Sequence, residues 1–228
     1  MGTLTAETMI DRVASQLLDK NNVQWTRPEL LEWLNFGIRQ VVAVQPHANG
    51  TVAAVKLVAG SRQLLPADGF LLMDVIRNMG VSGDVPGRAV RAVSKQQMDA
   101  FLPAWHGDVK TTVVTNWCVD MQDPTVFYVY PPANGNGYVQ INYAAVPPKL
   151  DDETDTIPVS DIYEAPLLDY MCYRAHAKRS ENPYHAAAAA QYMQAFSEQV
   201  GALDSARAVN NPALNVMPRT VEVPGGAT

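Results

Sequence analysis

Cysteines are scarce, charge is thin and no apolar run is long, and each scarcity closes off a class of function. Only two cysteines occur in 228 residues. Cys118 lies in a β-like run and Cys172 in a helical one, neither in a CxxC or CxxH spacing, so buried reduced thiols are expected rather than a disulfide framework or a zinc site. No apolar stretch approaches the roughly 20 residues that a membrane span requires. The N-terminus, Met1-Gly2-Thr3-Leu4-Thr5, has neither the basic nor the apolar region of a secretory leader. A chain made in the cytosol with no membrane partner is the expectation. Charged residues make up 18% of the chain, below the usual quarter, and mean hydropathy is −0.10. Such thinned charge suits a surface spent partly on contacts with other chains.

Positive charge is the scarcer sign. The chain has 17 lysines and arginines against 23 acids, a net charge of −6 and a pI near 5.1. The densest basic stretch, residues 174–179, holds only Arg174, Lys178 and Arg179. Counterion release from a duplex needs a basic stripe, and this sequence offers none.

Catalytic signatures are missing too. There is no GxSxG elbow, no Walker A loop, no dinucleotide GxGxxG and no HExxH. Among the four histidines, His47, His106, His176 and His185, only the last two are near each other. The Asn182-Pro183 break separates them, which leaves a shared metal site as an alternative only. Asp151, Asp152, Glu153 and Asp155 form a carboxylate cluster without the glycine and closing glutamate of a calcium loop; a solvated linker is expected. No enzyme activity and no cofactor are predicted.

What the sequence does contain is organisation. The apolar content of 47% fills one compound domain or two small ones. Ile10, Val13, Ala14, Leu17 and Leu18 recur at helical spacing, and Asn21-Asn22 ends that helix. Thr26 with Glu29 three residues on has capping-box spacing. It opens a second helix whose stripe is Leu30, Leu31, Trp33, Leu34, Ile38, Val41 and Val42, stopped by Pro46. From residue 51 the pattern turns to short strands. Runs 55–58 and 62–65 read as a hairpin around Ala59-Gly60-Ser61. Strands follow at 71–79, 88–93, 111–119, 125–130 and 138–145. A short helix capped by Ser94, with Gln97 at the box position, must end before Pro103. The turn at Asn134-Gly135-Asn136-Gly137 carries a strong hairpin signal. Trp117, Phe127, Tyr128 and Tyr130 occupy alternating strand positions, and Trp105 is the one candidate for an exposed aromatic anchor, with local packing as the other reading.

Helix returns over 161–179, with a stripe of Ile162, Ala165, Leu168, Met171, Cys172 and Ala175, and over 184–203, with Tyr192, Met193, Phe196 and Val200. The alanine run at 186–190 favours helix and a thin profile. Residues 204–228 have no sustained period yet carry Leu214, Val216, Met217, Val221 and Val223. Extended, such a segment reaches roughly 80 Å, an apolar arm suited to a neighbouring chain. The expected fold is α+β: a four-helix bundle from the terminal helix pairs (residues 1–48 and 151–203), an inserted β-rich lobe (49–150) and an extended C-terminal arm (204–228).

In this order the segments resemble a known pattern. Thr26-Arg27-Pro28-Glu29-Leu30-Leu31-Glu32-Trp33-Leu34-Asn35 precedes a β region with Gln63-Leu64-Leu65-Pro66, Val129-Tyr130-Pro131-Pro132 and Val139-Gln140-Ile141-Asn142-Tyr143, then Pro147-Pro148. Ile162-Tyr163-Glu164-Ala165-Pro166-Leu167-Leu168-Asp169-Tyr170 leads through Tyr173-Arg174-Ala175 into the alanine-rich helix. Over about residues 5–203 this is similar to the head-to-tail adaptor (connector) proteins of tailed bacteriophages. The resemblance implies a non-enzymatic virion subunit at the head-tail junction, assembled in the host cytoplasm. It also implies a dodecameric ring that contacts the portal protein and the tail or nozzle proteins, with genomic DNA passing through its channel unbound. The arm residues Leu214, Val216, Met217, Val221 and Val223 become candidate portal contacts. A carbohydrate- or receptor-binding module built on the β lobe is the alternative, and it requires exposed aromatic side chains.

Overall fold

A computed structural model describes residues 2–120 and 122–209, with side chains to residue 206. Its described residues form an α+β chain of five α-helices and two sheets. They divide into two units: residues 38–161 with the N-terminal strip up to Ala6, and residues 7–37 with those from Ile162 onward. The expected arm residues Leu214, Val216, Met217, Val221 and Val223 lie outside the described residues.

The helical unit draws on α1 (Ala6–Gln16), the first part of α2 (Arg27–Val44), α4 (Glu164–Ala177) and α5 (Pro183–Val209). Met9, Ile10, Val13 and Ala14 are buried on α1, and Leu30, Trp33 and Leu34 on α2, where the helical spacing put them. Full burial of one leucine stabilises by about 1.5–3 kcal/mol before cavity effects. Gly37 lets α4 approach α2 closely, since a Cβ there would sit 3.0 Å from the Tyr170 ring. Arg12 pairs with Glu164, and Gln16 donates to the Tyr192 hydroxyl. Lys178 bonds Glu29 at 2.5 Å.

Three details of the helices depart from the periodic reading. Leu18 is 91% exposed, because α1 has already ended. The Asp19 N–H reaches the Ala14 carbonyl and the Leu18 N–H that of Ser15, closing the helix in a Schellman motif with Leu18 itself left-handed at φ 57°. At the entry to α4 and along it, Ile162 and Ala165 are exposed while Tyr163, Leu167 and Tyr170 are buried. Residues Asp161–Tyr163 form a 3₁₀ turn, whose three-residue period advances the phase of the stripe. And α5 continues through Val209, past the expected start of the arm at Asp204; among its described side chains it buries a narrow line of Ala189, Phe196 and Val200.

In the other unit, β1 (Gly50–Lys56), β7 (Tyr138–Ala145) and β3 (Gly69–Asn78) form one sheet in the order β1-β7-β3. The second sheet runs β2 (Gly60–Leu64), β6 (Val126–Ala133), β5 (Asn116–Val119) and β4 (Arg91–Ala92). Pairing is antiparallel except for β4 with β5. Phe127, Val129, Ile141, Val139, Val75 and Leu57 lie at the centre of the core.

The expected hairpin at 59–61 does not form: β1 pairs β7 and β2 pairs β6. The chain crosses between sheets there, and it crosses again at 134–137, where β6 and β7 also belong to different sheets. The two crossings lie side by side, Leu57 N–H donating to the Gly137 carbonyl at 2.9 Å. Gln63 holds the first one, its carboxamide accepting from Val58 N–H and donating to the Val58 and Gly60 carbonyls. A Cβ at Gly137 would lie 2.2 Å from the Thr112 carbonyl oxygen, so the glycine there answers close backbone approach as well as turning. The long strands expected at 88–93 and 111–119 shrink to β4 and β5 because their outer residues meet β3 and β6 only in isolated bridges, Arg77 with Ala89 and Thr111 with Ala133, rather than in a continuous ladder.

Candidate functional site

Exposed apolar side chains held on pinned backbone, rather than any reactive cluster, mark the candidate site. In the helical unit this is the α1–α2 loop. The Asp19 carboxylate accepts the N–H groups of Val23, Gln24 and Trp25 at 2.8–2.9 Å. The Trp25 bond, with those of Gln24 and Val23, holds Asp19 below the usual carboxylate range against the opposing push of burial. Trp25 is buried and packs on Trp33 with ring centroids 5.8 Å apart. So anchored, the loop presents Leu18 and Val23, the latter 83% exposed. A left-handed non-glycine residue costs about 1–2 kcal/mol, and an exposed leucine recovers nothing for it within the subunit. Leu18→Gly is therefore expected to raise unfolding free energy by about 0.5–1 kcal/mol, read from the shift in urea midpoint.

The β unit holds a second such feature around α3 (Lys95–Phe101). Ser94 occupies the N-cap in an extended conformation, but its hydroxyl makes no capping bond, so only the boundary expected from Ser94 and Pro103 is met. Trp105 is not an exposed anchor. It is 1% exposed, its indole N–H donates to Asp99 at 2.9 Å, and its ring stacks on His106 and meets Tyr128 and Tyr130 edge-on. The exposed groups are its neighbours Phe101 and Val109, which the sequence pattern did not single out. Their signal was indirect: an apolar residue at the end of a seven-residue helix, next to Pro103, has no turn left in which to bury.

Two histidine contacts bear on the chemistry expected from the sequence. Ser61 Oγ lies 2.7 Å from His106 Nδ1. Ser61 is buried and His106 is stacked on Trp105, so the contact ties β2 to the segment after α3. His176 and His185 are brought together, Nδ1 to Nδ1 at 2.8 Å. Among the described residues no group of three or more His, Cys, Asp or Glu side chains is placed to hold a metal. Asp155 instead accepts the N–H groups of Asp151 and Asp152, a loop that closes on itself.

Both cysteines are buried and free. Burial pushes the Cys118 thiol up to about 11 and that of Cys172 to about 12, far from a reactive thiolate. Trp105, Trp117, Phe127 and Tyr143 are buried and so spent on packing, which leaves Phe101 as the strongly exposed aromatic side chain of the β unit among the described residues. Among the described residues no helix is long and apolar enough to cross a membrane. The family model described as SU10 adaptor protein matches residues 4–217. No curated protein matches the chain.

Proposed function

The chain belongs to the SU10 adaptor protein family and is a structural phage adaptor of the virion, and from that premise we propose that it is a ring subunit joining portal to tail. The family match over nearly the whole chain carries this reading. Several copies, twelve by the resemblance already noted, close a ring whose lumen continues the DNA channel. α1, α2, α4 and α5 act as one four-helix bundle packed beside its neighbours in the ring. The β lobe, residues 49–150, faces the tail or nozzle proteins, and residues 211–228 fasten the subunit to the portal through Leu214, Val216, Met217, Val221 and Val223. The exposed pairs Leu18 with Val23 on the α1–α2 loop and Phe101 with Val109 around α3 support the reading as apolar surface that neighbouring subunits can cover. A net charge of −6 suits a lumen that must not grip passing DNA.

Electron microscopy of the purified protein, alone and mixed with its portal, tests the ring. Closed rings seated on the portal are expected; a monomer that never engages the portal would overturn the proposal. Deleting residues 211–228 is expected to weaken portal attachment by tenfold or more, about 1.4 kcal/mol, with an unchanged urea midpoint. Attachment at full strength would reject the role given to Leu214, Val216, Met217, Val221 and Val223.

A further inference from the structure

Two features of opposite shape occur on this chain, a fixed apolar knob and an apolar hollow. The knob is Leu18. It is 91% exposed and left-handed at φ 57°, a conformation that costs any residue with a Cβ and gains no packing inside the subunit. The loop behind it is held, because the Asp19 carboxylate accepts the N–H groups of Val23, Gln24 and Trp25 at 2.8–2.9 Å. Asp19 is half-buried next to the knob, and Lys20 beyond it is exposed.

The hollow belongs to the β unit. It holds about 200 Å³ and is lined by Arg39, Val42, Ala43, Phe70, Val146 and Pro147, almost wholly through apolar atoms. Gly69 pairs with Ala145, and the Val146 N–H donates to the Asp68 carbonyl at 2.7 Å. Phe70 and Val146 are thereby held near each other where β3 begins and β7 ends. Pro147 has no N–H for a ladder and carries the chain out of the sheet. Ala43, on the last turn of α2, is too small to fill the gap. An apolar cavity of about 150 Å³ admits a benzene-sized group, so one branched aliphatic side chain fits here. Val146 is 52% exposed, and the mouth is open among the described residues.

We infer that Leu18 of one subunit seats in this hollow on the next copy, a contact that rests on the proposed ring and supplies its subunit interface. Charge complementarity selects a second copy as the occupant. The rim carries a cation and an acid, Arg39 and the exposed Asp68, and the knob is followed by an acid and a cation, Asp19 and Lys20. Facing copies set Arg39 toward Asp19 and Asp68 toward Lys20. A knob and a hollow at different places on one chain make a heterologous contact, which repeats around an axis and closes into a ring rather than a two-fold pair. Seating Leu18 also removes from water the side chain that the left-handed backbone holds outward.

Leu18→Gly separates this role from a structural one. It relieves the backbone, so the urea midpoint of the dilute subunit should rise. The concentration needed for ring assembly, read by sedimentation, should rise as well, by about 30-fold, the scale of one fully buried leucine. Assembly at the wild-type concentration, or lost assembly together with a lower midpoint, would overturn the contact. Proximity is read from the single variants Leu18→Cys and Val146→Cys, mixed with portal and treated with a short bismaleimide. Cys118 and Cys172 are buried, so the wild type serves as the unlinked control. Linked dimers are expected from the mixture and from neither variant alone. An unlinked mixture in rings visible by electron microscopy would overturn the contact and leave the ring standing; no ring with or without portal removes both. Links within Leu18→Cys alone would mean a two-fold pair. A Val146→Cys thiol shielded only when tail protein is added would give the hollow to that protein, and either result overturns the inference.

Discussion

Asn78→Ala is expected to destabilise the β unit by about 3–5 kcal/mol, read as a fall in urea midpoint at unchanged slope. Asn78 is 3% exposed at the end of β3. Its carboxamide donates to the Arg88 carbonyl at 2.9 Å and the Val114 carbonyl at 2.8 Å, and accepts the Val114 N–H at 2.9 Å. Alanine removes all three bonds at once and leaves the buried Val114 N–H and carbonyl without the carboxamide, while the Arg88 carbonyl keeps the Asn78 backbone N–H. Each such group costs about 1–3 kcal/mol, whereas the small cavity adds less. The effect is large because Asn78 bridges three stretches of chain. Its backbone also bonds residues 87 and 88, and Val114 sits fully buried in the core beneath. A midpoint shift under 1 kcal/mol would mean that water or relaxed backbone replaces the carboxamide, and that the loops are held elsewhere.

Nothing in the sequence marks Asn78. It lies inside a run expected as a strand over 71–79, and a single polar residue on a strand reads as a solvent-facing position. Periodicity reports which residues are apolar, not which carbonyls a carboxamide will find 10 or 36 positions away. For the same reason the helices were legible and the sheets were not. α1, α2, α4 and α5 follow from spacing and from Pro46 and Asn182-Pro183, and α3 from Ser94 and Pro103, all local signals. Sheet partnership is non-local: the Ala59-Gly60-Ser61 and Asn134-Gly135-Asn136-Gly137 turns were visible, but the division of their flanking strands between two sheets was not. Leu18 failed differently. Its spacing fits the α1 stripe, and only the Schellman closure and the grip of Asp19 on Val23, Gln24 and Trp25 turn it outward. The surface features follow the same rule, because exposure of Phe101 depends on where Trp105 finds its core.

Trp105 and Phe101 should therefore separate when each is replaced by alanine. Trp105→Ala is expected to cost about 3–5 kcal/mol. It empties the centre of the small cluster shared with Met98 and Cys118, strips His106 of its stacking partner and leaves Asp99 without its indole donor. Phe101 is 81% exposed, so Phe101→Ala should stay within about 0.5 kcal/mol of wild type in stability. Its effect belongs to assembly. If the β lobe meets the tail proteins through this end of α3, truncating an aromatic anchor should weaken that contact by about 30-fold, the scale of a hot-spot residue worth about 2 kcal/mol. Binding of folded Phe101→Ala rings to isolated tail protein, measured against wild-type rings, reads this directly. Equal affinity would move the tail contact away from α3, while a stability loss matching that of Trp105→Ala would show that Phe101 is part of the core after all. The exposed Val109, on the far side of Trp105 in sequence, supplies the control. Its truncation should weaken attachment less, since a valine buries less surface against a partner than a phenylalanine does.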